Sequence, residues 1–172
     1  MDVSEAIRTK RAVRIFSSQP IDDVTASAIL NAGRRSQSSK NKQEWQFIAI
    51  RDPQTLQALS TCGTWAQHIA GAALAVAILT PDPNENFQRL FDAGQSAAFM
   101  QLIAWEMGIG SCPASIYEPE KARQILGFPD DWHLRICISF GYPANQSKLT
   151  AIPKKGGRME FDKVVHWDKW NS

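Results

Sequence analysis

Apolar positions along the chain fall into segments of two periods. Val24, Ala28, Ile29 and Ala32 recur at helical spacing, with Asp22 or Asp23 placed to cap the first turn and Gly33 to close the segment. A shorter helix is expected over residues 3–10, then an extended Val13-Arg14-Ile15-Phe16 and a turn at Ser17-Ser18-Gln19-Pro20. Asp52-Pro53 supplies an N-cap and a first-turn proline for a helix ending near Leu59. Another short helix is expected through Trp65 to Ile69. From Arg89 to Met107 the chain is apolar nearly all round, with Gln95, Gln101 and Glu106 as exceptions, which predicts a helix central to the core. Gly108-Ile109-Gly110 ends it, because glycine accepts the left-handed geometry of a helix terminus. Pro119 to Leu126, closed by Gly127, reads as a compact last helix.

Continuous apolar runs mark the strands. They fall at 46–51, at 74–79 and at 135–141, and Leu74 to Leu79 has the length and flanks of a strand covered on both faces. These runs are too separated for a plain hairpin meander, and helices outnumber them, so an α+β layer arrangement follows. Arg34 to Glu44 has almost no apolar residue and ends at Trp45 and a strand. A polar loop abutting a buried strand is a good location for a site.

At 172 residues the chain is expected to be one domain with a sizeable core. A composition of 44% apolar and 21% charged residues is that of a soluble globular protein, and a net charge of +2 is too small for a nucleic-acid surface. Cys62, Cys112 and Cys137 are odd in number and widely spaced, which indicates neither a disulfide framework nor a zinc site and suits a reducing cytoplasm. The acidic N-terminal stretch and the absence of any run near ~18 apolar residues argue against a signal peptide and a membrane span. His68, His133 and His166 are not at metal-ligand spacing. Nucleotide and hydrolase fingerprints are missing too, since Gly108-Ile109-Gly110 follows a helix where a dinucleotide motif would follow a strand. Cys112 beside Pro113 reads as an inert, partly buried thiol, and Trp65, Trp105, Trp167 and Trp170 as packing or interface anchors.

Local charge is more telling than net charge. Lys10, Arg11 and Arg14 put three cations in five residues, a set that matches phosphate oxygens or else forms a solvated basic helix end. Lys154, Lys155 and Arg158 form a second cluster, which either meets the first at one anion or lies in a solvated loop. Between them, Ser38, Ser39, Asn41 and Gln43 offer donors and acceptors suited to a planar heterocycle with imide edges.

In order along the chain, these signals resemble the FMN-dependent nitroreductase family. KRAVRIF is similar to the family's opening Arg-Arg-Ser-Val-Arg-x-Phe, and Pro20-Ile21 follows before the second helix. SQSSKNKQEWQF resembles the family's Ala-Pro-Ser-x-x-Asn-x-Gln-Pro-Trp loop, with Ser38, Asn41, Gln43 and Trp45 in place. Asp92 to Met107 followed by GIGSCPAS resembles the central helix and its Gly-Leu-Gly-Ser-Cys exit. Leu126-Gly127-Phe128-Pro129, Phe140-Gly141-Tyr142-Pro143 and the VVHWDKW tail complete a likeness that covers essentially the whole chain.

The resemblance implies an α+β fold with a mainly antiparallel central sheet flanked by helices, in an intertwined homodimer with FMN at the subunit interface. Residues 1–172 would form one flavin-binding domain whose tail from about 152 packs on the partner. Lys10, Arg11, Ala12 and Arg14, helped by Arg158 and by Lys154 or Lys155, would hold the phosphate and ribityl end. Ser38, Ser39 and Asn41 would lie along the isoalloxazine, Gln67, with Thr64, at the pyrimidine edge, and backbone of Ala114, Ser115 and Ile116 near N5. The implied activity is transfer of hydride from NADH or NADPH to nitroaromatic, quinone or similar small acceptors by a ping-pong mechanism, with no catalytic side chain and no metal. A non-catalytic flavin- or nucleotide-binding module is the alternative. Ala12 stands where the family has serine, and Gln37 and Glu44 replace two loop prolines. The expected consequences are one lost hydroxyl contact, a less rigid loop and a carboxylate near the cofactor mouth.

Overall fold

Every residue of β2 (Leu74–Thr80) is buried, because this strand has a neighbour on each edge and helices on each face. Ala75, Ala77 and Leu79 point into one apolar cluster, and Leu74, Val76 and Ile78 alternate with them into another. The computed structural model describes residues 1–146 and 157–170. With β1 (Gln46–Ile50), β3 (Gly110–Ser115) and β4 (His133–Gly141), β2 forms an antiparallel sheet in the order β1-β2-β4-β3. Residues from α3 (Pro53–Leu59) and α5 (Pro119–Leu126) fill the first cluster. Those from α2 (Asp23–Arg34) and α4 (Gln88–Glu106) fill the second, and α1 (Val3–Thr9) packs at the end of α4.

Local chemistry explains the helix starts. Asp2, Asp22 and Asp52 each accept a hydrogen bond from the backbone N–H three residues on, at 2.7, 2.7 and 2.8 Å. Gly108 and Gly127 take left-handed conformations, at φ of 75° and 69°, just after α4 and α5. The expected helix through Trp65 to Ile69 is a single 3-10 turn over Gln67–Ile69.

Two elements differ from expectation. Strand β3 was not foreseen, because Pro113 breaks its pattern. Ile116 N donates to Arg135 O at 2.9 Å, and in this register even-numbered residues of β3 face β4 while Ser111, Pro113 and Ser115 face away. Proline at 113 therefore removes no ladder bond. The other difference is α4, which is not enclosed. Ser96, Met100, Gln101, Ala104 and Trp105 are buried, whereas Phe87 and Phe91 are 78% and 67% exposed. Its all-round apolar character reflects one face packed by its own chain and another left uncovered.

The segment after α1 is pinned across the open edge of the sheet. Val13 N donates to Ser111 O at 3.0 Å, Ser17 N to Tyr142 O at 2.7 Å, and Ala144 N to Ile15 O at 3.1 Å. Ala12 and Phe16 make single bridges to Ser111 and Pro143. This approach requires bare α-carbons beneath it, since a Cβ at Gly110 would stand 2.5 Å from Val13 Cβ and one at Gly141 would stand 2.7 Å from Phe16 Cγ. Gly110→Ala should lower stability by about 1–3 kcal/mol in urea unfolding, as overpacked sites do. Gly94→Ala, on an open helix surface with nothing within 4 Å of the added carbon, should instead be neutral or raise it slightly. An unchanged midpoint in Gly110→Ala would contradict the crossing.

Candidate functional site

Pinning residues 12–17 places the N-terminal cations. Arg11 to Ile15, together with Pro143, Ala144 and Asn145, line a cleft of about 250 Å³ that contains no carboxylate. Lys10 is half-buried, and loss of water holds its ammonium below the ordinary lysine range. The thiol of Cys112 opposes that shift, and the nearby Arg158 adds to it. Cations from the two ends of the chain thus meet in one place. No ion pair among the described residues takes up Lys10, Arg14 or Arg158. Lys154 and Lys155 lie outside the described residues. Ala12 is exposed in this cleft and brings no side-chain donor to it.

A buried polar group lies beneath these cations. His68, on the 3-10 turn before β2, has its Nδ1 2.8 Å from Ser139 Oγ, and Ser139 Oγ donates to Cys112 O at 3.2 Å. Ser139 Oγ thus lies between the imidazole and the backbone of β3. Burial lowers the His68 pKa, and the Arg14 guanidinium lowers it further. Burial pushes the Cys112 thiol up, against the pull of Arg14 and Lys10, so it is a protonated, structural cysteine with 2% exposure. His68 is the residue that sequence reasoning missed. Its only signal there was a lone histidine in an apolar stretch, with nothing to tie it to Arg14.

The end of β3 forms the next part of the site. Ala114 and Ile116 are buried and turned toward β4, and the Ile116 N–H is used on Arg135. Ser115 is exposed, with its backbone N–H and C=O on the free edge of the sheet. Gly63 packs directly on that edge, where a Cβ would lie 2.2 Å from Ser115 O. Tyr117 N and Glu118 N both donate to Cys62 O, at 2.9 and 3.1 Å, which locks the two segments together. Gln67 shares an open polar groove of about 580 Å³ with Gly63, Thr64 and Glu118, and its amide donates to Thr64 O at 2.7 Å.

Ser38, Ser39 and Asn41 lie elsewhere on the chain. They sit at a 3-10 turn over Ser39–Asn41, where Ser39 N donates to Asp92 Oδ2 at 2.9 Å and Ser39 Oγ to Gln88 Oε1 at 3.2 Å. Both partners belong to α4. No residue lining the cleft at Arg11 or the groove at Gln67 comes from this loop. Among the described residues no cluster of His, Cys, Asp or Glu could hold a metal ion, and no helix is long and apolar enough to cross a membrane.

The depressed pKa of His68 has a measurable sign. The unfolded chain binds a proton near pH 6.5 and the folded chain only lower, so stability is fully present above about pH 6.5 and falls as pH drops toward the folded value. The cap carboxylates Asp22 and Asp52, held below their ordinary range by hydrogen bonds from Thr25 and Thr55, stabilise the fold throughout this range and lose that contribution only at more acidic pH. Thermal midpoints measured from pH 7.5 to 5 should fall in the wild type and fall less in His68→Gln. Parallel curves would place the acid sensitivity elsewhere.

The profile of the Nitroreductase family matches residues 7–81 and 61–142 of this chain. A protein named NADH dehydrogenase from Thermus thermophilus is 26% identical over 204 residues, with 97% of this chain and 96% of that one covered. The solved structure of an FMN-dependent nitroreductase from Clostridium difficile is 26% identical and matches with a TM-score of 0.81, over 96% of this chain and 98% of its own. An NADPH:FMN oxidoreductase from Vibrio harveyi, solved in complex with NAD+, matches with a TM-score of 0.86 at 20% identity, over 98% of this chain and 78% of its own. Fold and family agree with the resemblance carried by the motifs. The chain belongs to the nitroreductase family.

Proposed function

We propose that this protein is an FMN-dependent oxidoreductase that takes hydride from NADH or NADPH and passes two electrons to a small acceptor, such as a nitroaromatic or a quinone, in alternate half-reactions. The observation that carries this reading is that Lys10 and Arg158, from the two ends of the chain, lie within electrostatic reach of each other, that Lys10 and Arg14 both act on Cys112, and that no ion pair among the described residues takes up any of the three. Two guanidinium forks and an ammonium are the donor set of a phosphate monoester site. FMN, when bound, supplies the two-electron exchange, and the protein supplies anchorage, orientation and charge.

The geometry supports the following residue roles. Lys10, Arg11 and Arg14 with Arg158 hold the phosphate, and Lys155 is assigned to the same end by resemblance. Ser115 is the backbone donor left free at the end of β3, whereas the Ile116 N–H is already committed to the sheet. Gln67 approaches the imide edge from the adjoining groove. Ser38, Ser39 and Asn41 face the ring from a second copy of the chain, which accounts for their separation from the cations within one copy. The uncovered face of α4 supports the homodimer, as do Trp167 and Trp170, which are 73% and 82% exposed. Three free, buried thiols fit a reducing compartment such as the cytoplasm.

The purified protein should be yellow, bleach on addition of NADH or NADPH, and recover its absorbance with an acceptor. A bound flavin that neither nicotinamide reduces would mark a non-catalytic binding module, and protein that ignores added FMN would end the reading. Arg14→Ala and Arg158→Ala should each weaken FMN binding by about 1.5–3 kcal/mol, the range of a charge-assisted hydrogen bond. Unchanged affinity in both would remove the phosphate clamp. Phe91→Asp should yield monomers in sedimentation and lose FMN with them, while a dimer of normal affinity would place the interface elsewhere.

A further inference from the structure

The loop before β1 departs from the family pattern by carrying Gln37 and Glu44 at two proline positions, and greater freedom is the simple expectation. The structure shows contacts that hold the loop in their place. Glu44 Oε1 accepts from Arg89 Nη2 at 3.2 Å, and Arg89 Nη1 also reaches Glu85 Oε2 at 3.0 Å and donates to Asp82 O. These side chains are 13% (Arg89) and 27% (Glu44) exposed, so the pair is shielded from water and salt more than a surface pair. Lys42, at 3.8 Å, approaches the other carboxylate oxygen of Glu44. Glu44 is thus not a loose carboxylate at a cofactor mouth.

The loop requires such a hold. Lys40, Asn41 and Gln43 have φ of 53°, 54° and 53°, and non-glycine residues keep this left-handed conformation only when surrounding contacts determine it. Gln43 N donates to Ser38 Oγ at 3.0 Å and its side chain to Asn41 Oδ1 at 3.1 Å, which closes the loop on itself. Its outside anchors are Gln88, Arg89 and Asp92, all within the first two turns of α4. Downstream, Trp45 is buried and stacks with Phe47 at 6.5 Å, so Glu44 is the last polar residue before the chain enters the sheet.

We infer that the Glu44–Arg89 pair is a positioning device: it sets Ser38, Ser39 and Asn41 in the geometry that receives the flavin before the flavin arrives. This inference rests on the FMN reading above. Both side chains are engaged with other residues of the protein. Arg89 acts on Glu44, and Glu44 acts on the loop backbone. An ion pair differs from a proline in being breakable one partner at a time.

The test uses Glu44→Gln, Arg89→Met and the double variant, each as holoprotein and after removal of flavin. In the flavin-free protein, amide exchange at Ser39 and Gln43 should quicken in Glu44→Gln, while the Val13 amide, bonded to Ser111 across the molecule, should not change. FMN affinity should fall about five- to tenfold, as for a loop that is competent one time in five to ten. The double variant should lose no more than Arg89→Met alone, because a single interaction has been removed. Unchanged FMN affinity in Glu44→Gln, unchanged exchange at Ser39 and Gln43, or additive losses in the double variant would each overturn the inference. Because Arg89 also supports the segment at Asp82 and Glu85, the outcome for Glu44→Gln decides if Arg89→Met fails to fold. Failure of the parent reading looks different: wild-type protein itself takes up no FMN, and the loop then has no cofactor to position.

Discussion

The close crossing of residues 12–17 over Gly110 and Gly141 is the constraint on which the site depends. With no side chain at either glycine, backbone meets backbone at hydrogen-bond distance, and Val13 and Phe16 settle onto the open edge of the sheet. Strand β3 can accept this segment because it is an edge strand, with Ser111, Pro113 and Ser115 turned outward. Arg14 is therefore positioned by the sheet, while Lys10 is held by α1, whose last turn its N–H closes on Ala6 O.

Bringing like charges together has an electrostatic consequence. Lys10 loses water and faces Arg158, while His68 is kept neutral by burial and by Arg14. The ion pairs among the described residues leave Lys10, Arg14 and Arg158 without a carboxylate, and an anion is the natural relief. Beneath these cations the contacts His68–Ser139–Cys112 form a hydrogen-bonded polar chain within the core. Cys137, wholly buried deeper in the sheet and pushed up to about 12, and the desolvated Cys112 stay as thiols beneath it.

Helix α4 joins the remaining parts. Its first turns hold the polar loop through Gln88, Arg89 and Asp92, and its middle receives α2 where Gly33 makes room for Met100 and Ser96. Near its end, Trp105 Nε1 donates to Thr9 Oγ1 at 2.9 Å and ties down α1, from which the cations follow. The same helix leaves Phe91 and its neighbours uncovered. One element thus orients both halves of the proposed site and offers the face on which a second copy would bring them together.

The amino-acid pattern by itself determined what depends on neighbours in sequence. Asp22 and Asp52 as caps, Pro53 and Pro119 as first-turn residues, Gly127 as a stop and the wholly buried strand at Leu74 were all readable, because each reflects a backbone bond or a period that few residues specify. The basic segment and the polar loop were readable as chemistry, and their order along the chain as a family. Strand β3 was not, since a proline on the outward side of an edge strand looks like a break until the register is known. Nor could sequence tell that Glu44 meets Arg89, 45 residues away, or that His68 lies by Arg14 and bonds to Ser139, 71 residues on. Those pairings were decided by the sheet and by α4, because contacts between distant residues depend on how faces pack and leave no period in the chain.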